Sequence, residues 1–300
     1  MATDDLHGAA EVPQSAELST SLDTIRKQLN QEIGLRKRVT KPLEDALRAL
    51  KDPHKFAVAL SESVAALEKP PQDVNLPENY SELVAQVRVI ADEKLSELEF
   101  TFARDLRTAF QEKGITLDGP PNALVADLFL IKPDMRKKRV DITFSRQPVT
   151  SKTIKLNVDA VVSAYDRARK EIFERKTDYP QLLADLFAAY ERLLKLNGEQ
   201  VGARTGIVDL YTELIWVRQP AAFRKTPSNL TFLDYPKTHF IYDMLQLRQH
   251  NILNHNEFRL NFGVSTIEVG SDSRKAMFLA TGANEGAFIK DLYFTVEKSK

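Results

Sequence analysis

The most regular hydrophobic pattern in the chain lies between Asn79 and Lys113. Val87, Ala91, Leu95, Leu98, Phe102, Leu106 and the Ala109/Phe110 pair recur at steps of three and four, which stacks them along one side of a helix. Asn79 is placed to cap its start, with Glu82 three residues on reaching back to the cap amide. Gly114 supplies a left-handed residue to end it. At 1.5 Å per residue such a helix would be roughly 50 Å long. Its seam predicts burial along its whole length, on the helices that precede it or on another copy of the chain.

Weaker patterns flank this helix. Residues 1–16 read as a disordered leader, small and acidic with Pro13 and no periodicity. Leu18, Leu22, Ile25, Leu29 and Ile33 then share one helical face, and Gly34 with the basic run Arg36-Lys37-Arg38 ends that helix. Pro42 opens a second, short helix with Leu43, Ala46, Leu47 and Leu50, and Phe56, Leu60, Val64 and Leu67 mark a third. The three prolines of 69–79 make that stretch a linker or surface loop.

Beyond Gly114 the period shortens. GPPN (119–122) signals a turn, ALVADLFLI (123–131) reads as a strand, and Val140, Ile142 and Phe144 alternate with polar residues in a second strand over 139–144. The intervening KPDMRKK forms the loop of a hairpin. Asn157 caps a helix over 158–176, Asp178 and Pro180 start another that Gly198 ends, and so short a join predicts an antiparallel αα-hairpin. The three glycines of 198–206 mark a hinge. Residues 207–218 suit a helix in length and spacing, and Asp234 with Pro236 opens one through about His250. Strands over 258–269, 274–280 and 287–297 favour an antiparallel meander. The expected fold is therefore α+β and mainly helical. Its parts are the leader (1–16), a helical region (17–115) carrying the long helix over 79–113, a β-hairpin plus αα-hairpin (116–198) and a C-terminal α+β domain (207–300).

Charge removes some functions from consideration. Lys+Arg and Asp+Glu both number 42, so no global field draws the chain to nucleic acid or to an acidic membrane, and any such contact needs a local patch. The chain has no cysteine, which excludes disulfides, thiolate metal sites and a cysteine nucleophile. No apolar run approaches a membrane span, and the acidic N-terminus is unlike a signal peptide, so the expected location is cytoplasmic.

The local chemistry is sparse. Lys132, Arg136, Lys137, Lys138, Arg139, Arg146, Lys152 and Lys155 cluster around the hairpin against only Asp134 and Asp141. Such a loop suits a phosphate backbone, and it equally suits a solvated tip whose lysines keep an edge strand from aggregating. A restriction-type nuclease reading fails because no lysine follows Asp141-Ile142-Thr143 at the required step. The five histidines form no zinc spacing, no serine sits in a nucleophile elbow, and none of the 11 glycines belongs to a phosphate-binding loop. No catalytic residue, metal or cofactor is indicated. Two helices followed by strands in the C-terminal third loosely follow a winged helix, although the seventeen-residue gap between those helices is long for one. Trp216, Phe223, Phe232, Tyr235, Phe240 and Tyr242 make 216–242 the most aromatic stretch, interleaved with Arg218 and Arg224. The leading expectation for this stretch is the core of the C-terminal domain. Its aromatics among Arg218, Arg224 and Lys225 also suit base stacking, and Trp216, Arg218, Phe223 and Arg224 are candidates for a partner interface, where Trp and Arg dominate binding energy. The leading expectation is a non-enzymatic subunit or adaptor that docks on a protein partner or on its own copy. The alternative is a nucleic-acid-binding protein using Lys132, Arg136, Lys137, Lys138, Arg139 and Arg146.

Overall fold

The computed structural model describes residues 12–266, 272–282 and 285–297. The expected leader therefore lies largely outside the described residues, as do the end of the 258–269 strand and part of the connection between the 274–280 and 287–297 strands. The fold is α+β and mainly helical, with two antiparallel sheets. Three helices come first: α1 (Val12–Ala49), α2 (Ala57–Leu67) and α3 (Tyr80–Gln111). Strands β1 (Leu124–Ala126), β2 (Phe129–Asp134), β3 (Arg139–Phe144), β4 (Gln147–Pro148) and β5 (Ile154–Lys155) form the first sheet. Helices α4 (Val158–Phe173) and α5 (Tyr179–Asn197) follow, then β6 (Thr205–Gly206), α6 (Ile207–Val217), α7 (Ala221–Lys225) and α8 (Lys237–Gln249). The chain closes with β7 (Asn254–His255), β8 (Phe258–Val264), β9 (Met277–Ala280) and β10 (Gly286–Val296). It divides into two compact units, Met1–Thr101 and Phe102–Lys300, so the division falls inside α3.

In the first unit α1 runs unbroken through Gly34 and Pro42, where two separate helices were expected. An interior proline costs a helix about 3 kcal/mol and glycine about 1. Packing offsets this, because Val39, Ala46 and Ala49 of α1 are buried with Leu60, Val64 and Leu67 of α2 and with Val84 and Ala91 of α3. The Tyr80 hydroxyl adds a tie, donating to the Leu67 carbonyl at 2.8 Å.

The seam of α3 is not continuous, contrary to expectation. Ala91 belongs to the core of the first unit, and Ala103, Leu106 and Phe110 belong to that of the second, while Leu95 and Leu98 between them are only half-buried. One helical stripe thus serves two cores. Gly114 ends the helical stretch as expected: its φ of +73° lets the Ile115 amide turn back to the Phe110 carbonyl at 3.0 Å.

In the second unit the strand expected over 123–131 is broken. Asp127 takes a φ of +51°, and Ala126 pairs with Phe129 across a two-residue turn. The turn lets the Asp127 carboxylate accept the Tyr165 hydroxyl of α4 at 2.6 Å. β2 pairs along one edge of β3, with β4 and β5 along the other. In the second sheet β10 is central, with β8 on one edge and β9 and β6 on the other. The sheet is antiparallel as expected, but β9 pairs with β10 and not with β8. A single strand long enough for three neighbours replaces simple succession, with an irregularity between Ile289 and Asp291.

Two of the expected side-chain caps form, whereas neither Asn79 nor Glu82 makes a capping bond at the start of α3. The Asn157 side chain accepts the Ala160 amide and that of Asp178 the Gln181 amide, each at 3.0 Å, and Gly198 closes α5 in the left-handed region. The α4–α5 turn is short, yet each helix takes its main neighbours elsewhere: α5 packs on α6, and α4 lies against α8 and β5. One buried cluster, from Ala103 to Phe294, draws on both 116–198 and 207–300. Within the glycine-rich 198–206 segment the Tyr190 hydroxyl accepts the Gly202 amide at 3.0 Å and donates to the Ala203 carbonyl at 2.8 Å. Tyr190→Phe removes both bonds and leaves two backbone groups short of partners. We expect a loss of about 1–3 kcal/mol in urea unfolding and new trypsin cleavage at Arg204.

Candidate functional site

The aromatic stretch forms a loop that stands out from the second unit. In α6, Ile207, Leu210, Tyr211 and Leu214 recur at helical spacing and are buried, which turns Trp216 outward at 52% exposure. After α6 the chain leaves the core at Gln219 and returns to it at Tyr235. Gln219 is buried and grips both ends of the excursion. Its amide nitrogen donates to the carbonyls of Ile215 at 2.9 Å and Leu233 at 3.0 Å, and its oxygen accepts the Leu233 amide at 2.9 Å. One side chain thereby satisfies both backbone groups of Leu233 and closes a compact loop over 220–232.

Internal bonds shape the loop. Thr231 Oγ1 accepts the Ser228 amide at 3.1 Å and donates to the Thr226 carbonyl at 2.9 Å, and the Arg224 guanidinium donates to the Val217 carbonyl at 2.8 Å. Phe223 lies between Trp216 and Phe232, with ring centroids 6.0 and 5.5 Å away. This row leaves apolar surface outward: Leu230 is 97% exposed, and Phe232 and Leu233 are exposed beside it. Contiguous apolar surface on a well-bonded loop is uncommon unless something covers it.

Behind the loop lies a buried polar network. Asp243 of α8 is fully buried and accepts the Tyr235 hydroxyl at 2.6 Å, the Arg175 guanidinium at 2.6 Å and the Thr177 hydroxyl at 3.4 Å. The Tyr235 carbonyl in turn accepts the Tyr211 hydroxyl at 2.6 Å. Burial and the Asp243 charge push the Tyr235 phenol well above its ordinary value, and burial pushes Tyr211 up to about 12. Both hydroxyls therefore stay protonated as donors at physiological pH. His239, on the same helix, is shifted down by burial and then by Arg175. The arrangement braces the fold and brings no nucleophile to a general base.

Of the sequence candidates, Trp216, Phe223 and Arg224 come together on the loop. Arg218 turns inward, stacking on the Tyr235 ring at 4.4 Å and pairing with Asp185 at 3.6 Å. Five of the six basic candidates stay together at the β2–β3 end of the hairpin, and Arg146 lies apart. Arg136, Lys137 and Lys138 sit in the exposed β2–β3 turn, where the Lys137 amide and ammonium hold Asp134 below the usual carboxylate range. Arg139 reaches Asp141 at 3.4 Å, and Lys132 is exposed on β2. Arg146 lies at the opposite end of β3, in a turn where it and Ser145 both take positive φ. Its guanidinium lies over the paired Phe278 and Phe288 rings at 4.4 and 4.7 Å, linking the two sheets. α8 is buried over most of its length, leaving its exposed positions at Arg248 and Gln249.

Sequence reasoning missed Gln219, Leu230 and Leu233. Apolar residues at 230, 232 and 233 within a proline-bounded polar loop were the available signal for the last two, whereas nothing local marks Gln219. Among the described residues no helix is long and apolar enough to cross a membrane, and no group of three or more acidic or histidine side chains gathers as a metal site. No protein-family model matches the chain, and neither a curated protein nor a solved structure is detectably similar to it.

Two substitutions separate the loop from its brace. Asp243→Ala should cost about 3 kcal/mol in urea unfolding, the lower end for breaking a buried pair, because Arg175 keeps some exposure. Gln219→Leu strands both backbone groups of Leu233 and should cost about 1–3 kcal/mol. It should also redden the emission of the single tryptophan, Trp216, while far-ultraviolet dichroism stays unchanged.

Proposed function

We infer that the chain is a non-enzymatic subunit or adaptor, and that the 216–233 loop is where a protein partner docks. The observation that supports this reading is Leu230, 97% exposed two residues before Phe232 of the Trp216–Phe223–Phe232 row, on a loop clamped by Gln219. Ordering such a loop beforehand lowers the entropy lost on association. Large aromatic and aliphatic side chains are the usual anchors of a desolvated interface centre. Arg224 and Lys225 at its margin suit a partner that brings carboxylates to the rim.

The test uses the full chain carrying Trp216→Ser and Leu230→Ser. Both positions are exposed, so stability should stay within about 0.5 kcal/mol of wild type. A protein captured by wild type is identified, purified and titrated against both forms by calorimetry. The expected result is binding weakened by roughly 30-fold or more, the equivalent of losing one anchor worth about 2 kcal/mol. Undiminished binding of the same protein by the variant would refute the docking site. In a parallel gel-retardation assay at low salt, we expect no shift of single- or double-stranded DNA or RNA. A shift abolished by Arg136→Ser, Lys137→Ser and Lys138→Ser would replace the adaptor reading with a nucleic-acid-binding one.

A further inference from the structure

The first unit carries a second unpartnered surface. Between Thr20 and Gly34 no residue of α1 is buried, although Leu22, Ile25, Leu29 and Ile33 form an apolar stripe there. Leu22 is 67% exposed and Leu29 54%. Farther along the same helix, Leu35, Val39 and Leu43 face Val74 and Leu76 across an open groove of about 710 Å³. Glu32 and Arg36 also line the groove, and neither makes an ion pair among the described residues.

These positions fall in one heptad pattern. Leu22, Leu29, Arg36 and Leu43 recur every seven residues, with Ile25, Glu32 and Val39 at the alternate seam position; Val39 forms the base of the groove, and Ala46, next in that series, is buried in the core of the first unit. Reversing the helix about the level of Gly34 superposes the two sets on each other. Ile25 then faces Leu43 of a second helix, Leu29 faces Val39, and Glu32 faces Arg36, with every contact repeated by symmetry. In a parallel pair Glu32 would instead face Glu32, and Arg36 would face Arg36.

We propose that α1 pairs antiparallel with α1 of a second copy of this chain, the 25–33 stretch of each seated in the 35–43 groove of the other. The self-complementary register selects this occupant. It covers both exposed stripes, fills both grooves and neutralises Glu32 and Arg36 twice over, as a two-fold interface requires. The surface lies wholly in the first unit and does not depend on the 216–233 loop.

Light scattering of the full chain at micromolar concentration should give twice the 34.0 kDa chain mass. Glu32→Arg and Arg36→Glu each place like charges across the seam, and each should give the monomer mass. Both residues are exposed, so an unchanged far-ultraviolet dichroism spectrum with a cooperative melt, at a lower temperature once the partner is lost, would confirm that the fold survives in either variant. Combining the two substitutions in one chain restores opposite charges only in the antiparallel register, and the dimer mass should return. Wild type at monomer mass would overturn the proposal. So would single variants that remain dimeric, or a double variant that stays monomeric.

Discussion

The second unit is organised around a carboxylate shut off from the surface. Asp243 is fully buried, and a buried charge is tolerated only when donors converge on it. Those donors come from separate parts of the chain: Arg175 and Thr177 from the α4–α5 turn, and Tyr235 from the end of the aromatic loop. Meeting this demand places α8 against the α4–α5 turn and sets the point where the loop returns to the core. Tyr235 then supports Arg218, whose guanidinium stacks on its ring, and accepts from Tyr211 in α6.

The exposed loop inherits its order from that brace. With Tyr235 fixed, Leu233 lies within reach of Gln219, and the Gln219 amide closes the neck. The aromatic row can then be held outward without collapsing onto the core. Arg146 shows the same logic at the sheets. It stays exposed on a tight turn, but its guanidinium lies over Phe278 and Phe288 of the second sheet, and the Ser145 hydroxyl alongside accepts the Ala280 amide at 3.1 Å. A charge that suggested phosphate contact is used to join two sheets.

Much of the fold was legible because local chemistry specifies it. Asn157 and Asp178 cap the helices that follow them, and Gly114 and Gly198 end theirs with positive φ. Periodicity located α2 through α6 and the strands around Val140 and Leu260. The candidate site was half legible. The composition of 216–233 drew attention to Trp216, Phe223 and Arg224, whereas the inward turn of Arg218 depends on Asp185 and Tyr235, which lie far along the chain. Gln219 was invisible because a glutamine signals nothing until the backbone it satisfies is brought beside it.

By itself, then, the sequence determined most of the helices and strands, the caps at Asn157 and Asp178 and the absence of thiol chemistry, since these rest on spacings of three or four residues and on composition. Tertiary structure alone decided where the seam of α3 was shared. Ala91 and Leu106 look alike in the pattern, and only packing assigns them to different cores. It also kept α1 whole across Gly34 and Pro42, because the burial of Val39, Ala46 and Ala49 outweighs a local preference to break. And it made β10 central, since which strand pairs with which depends on long-range hydrogen bonds that no short-range period encodes.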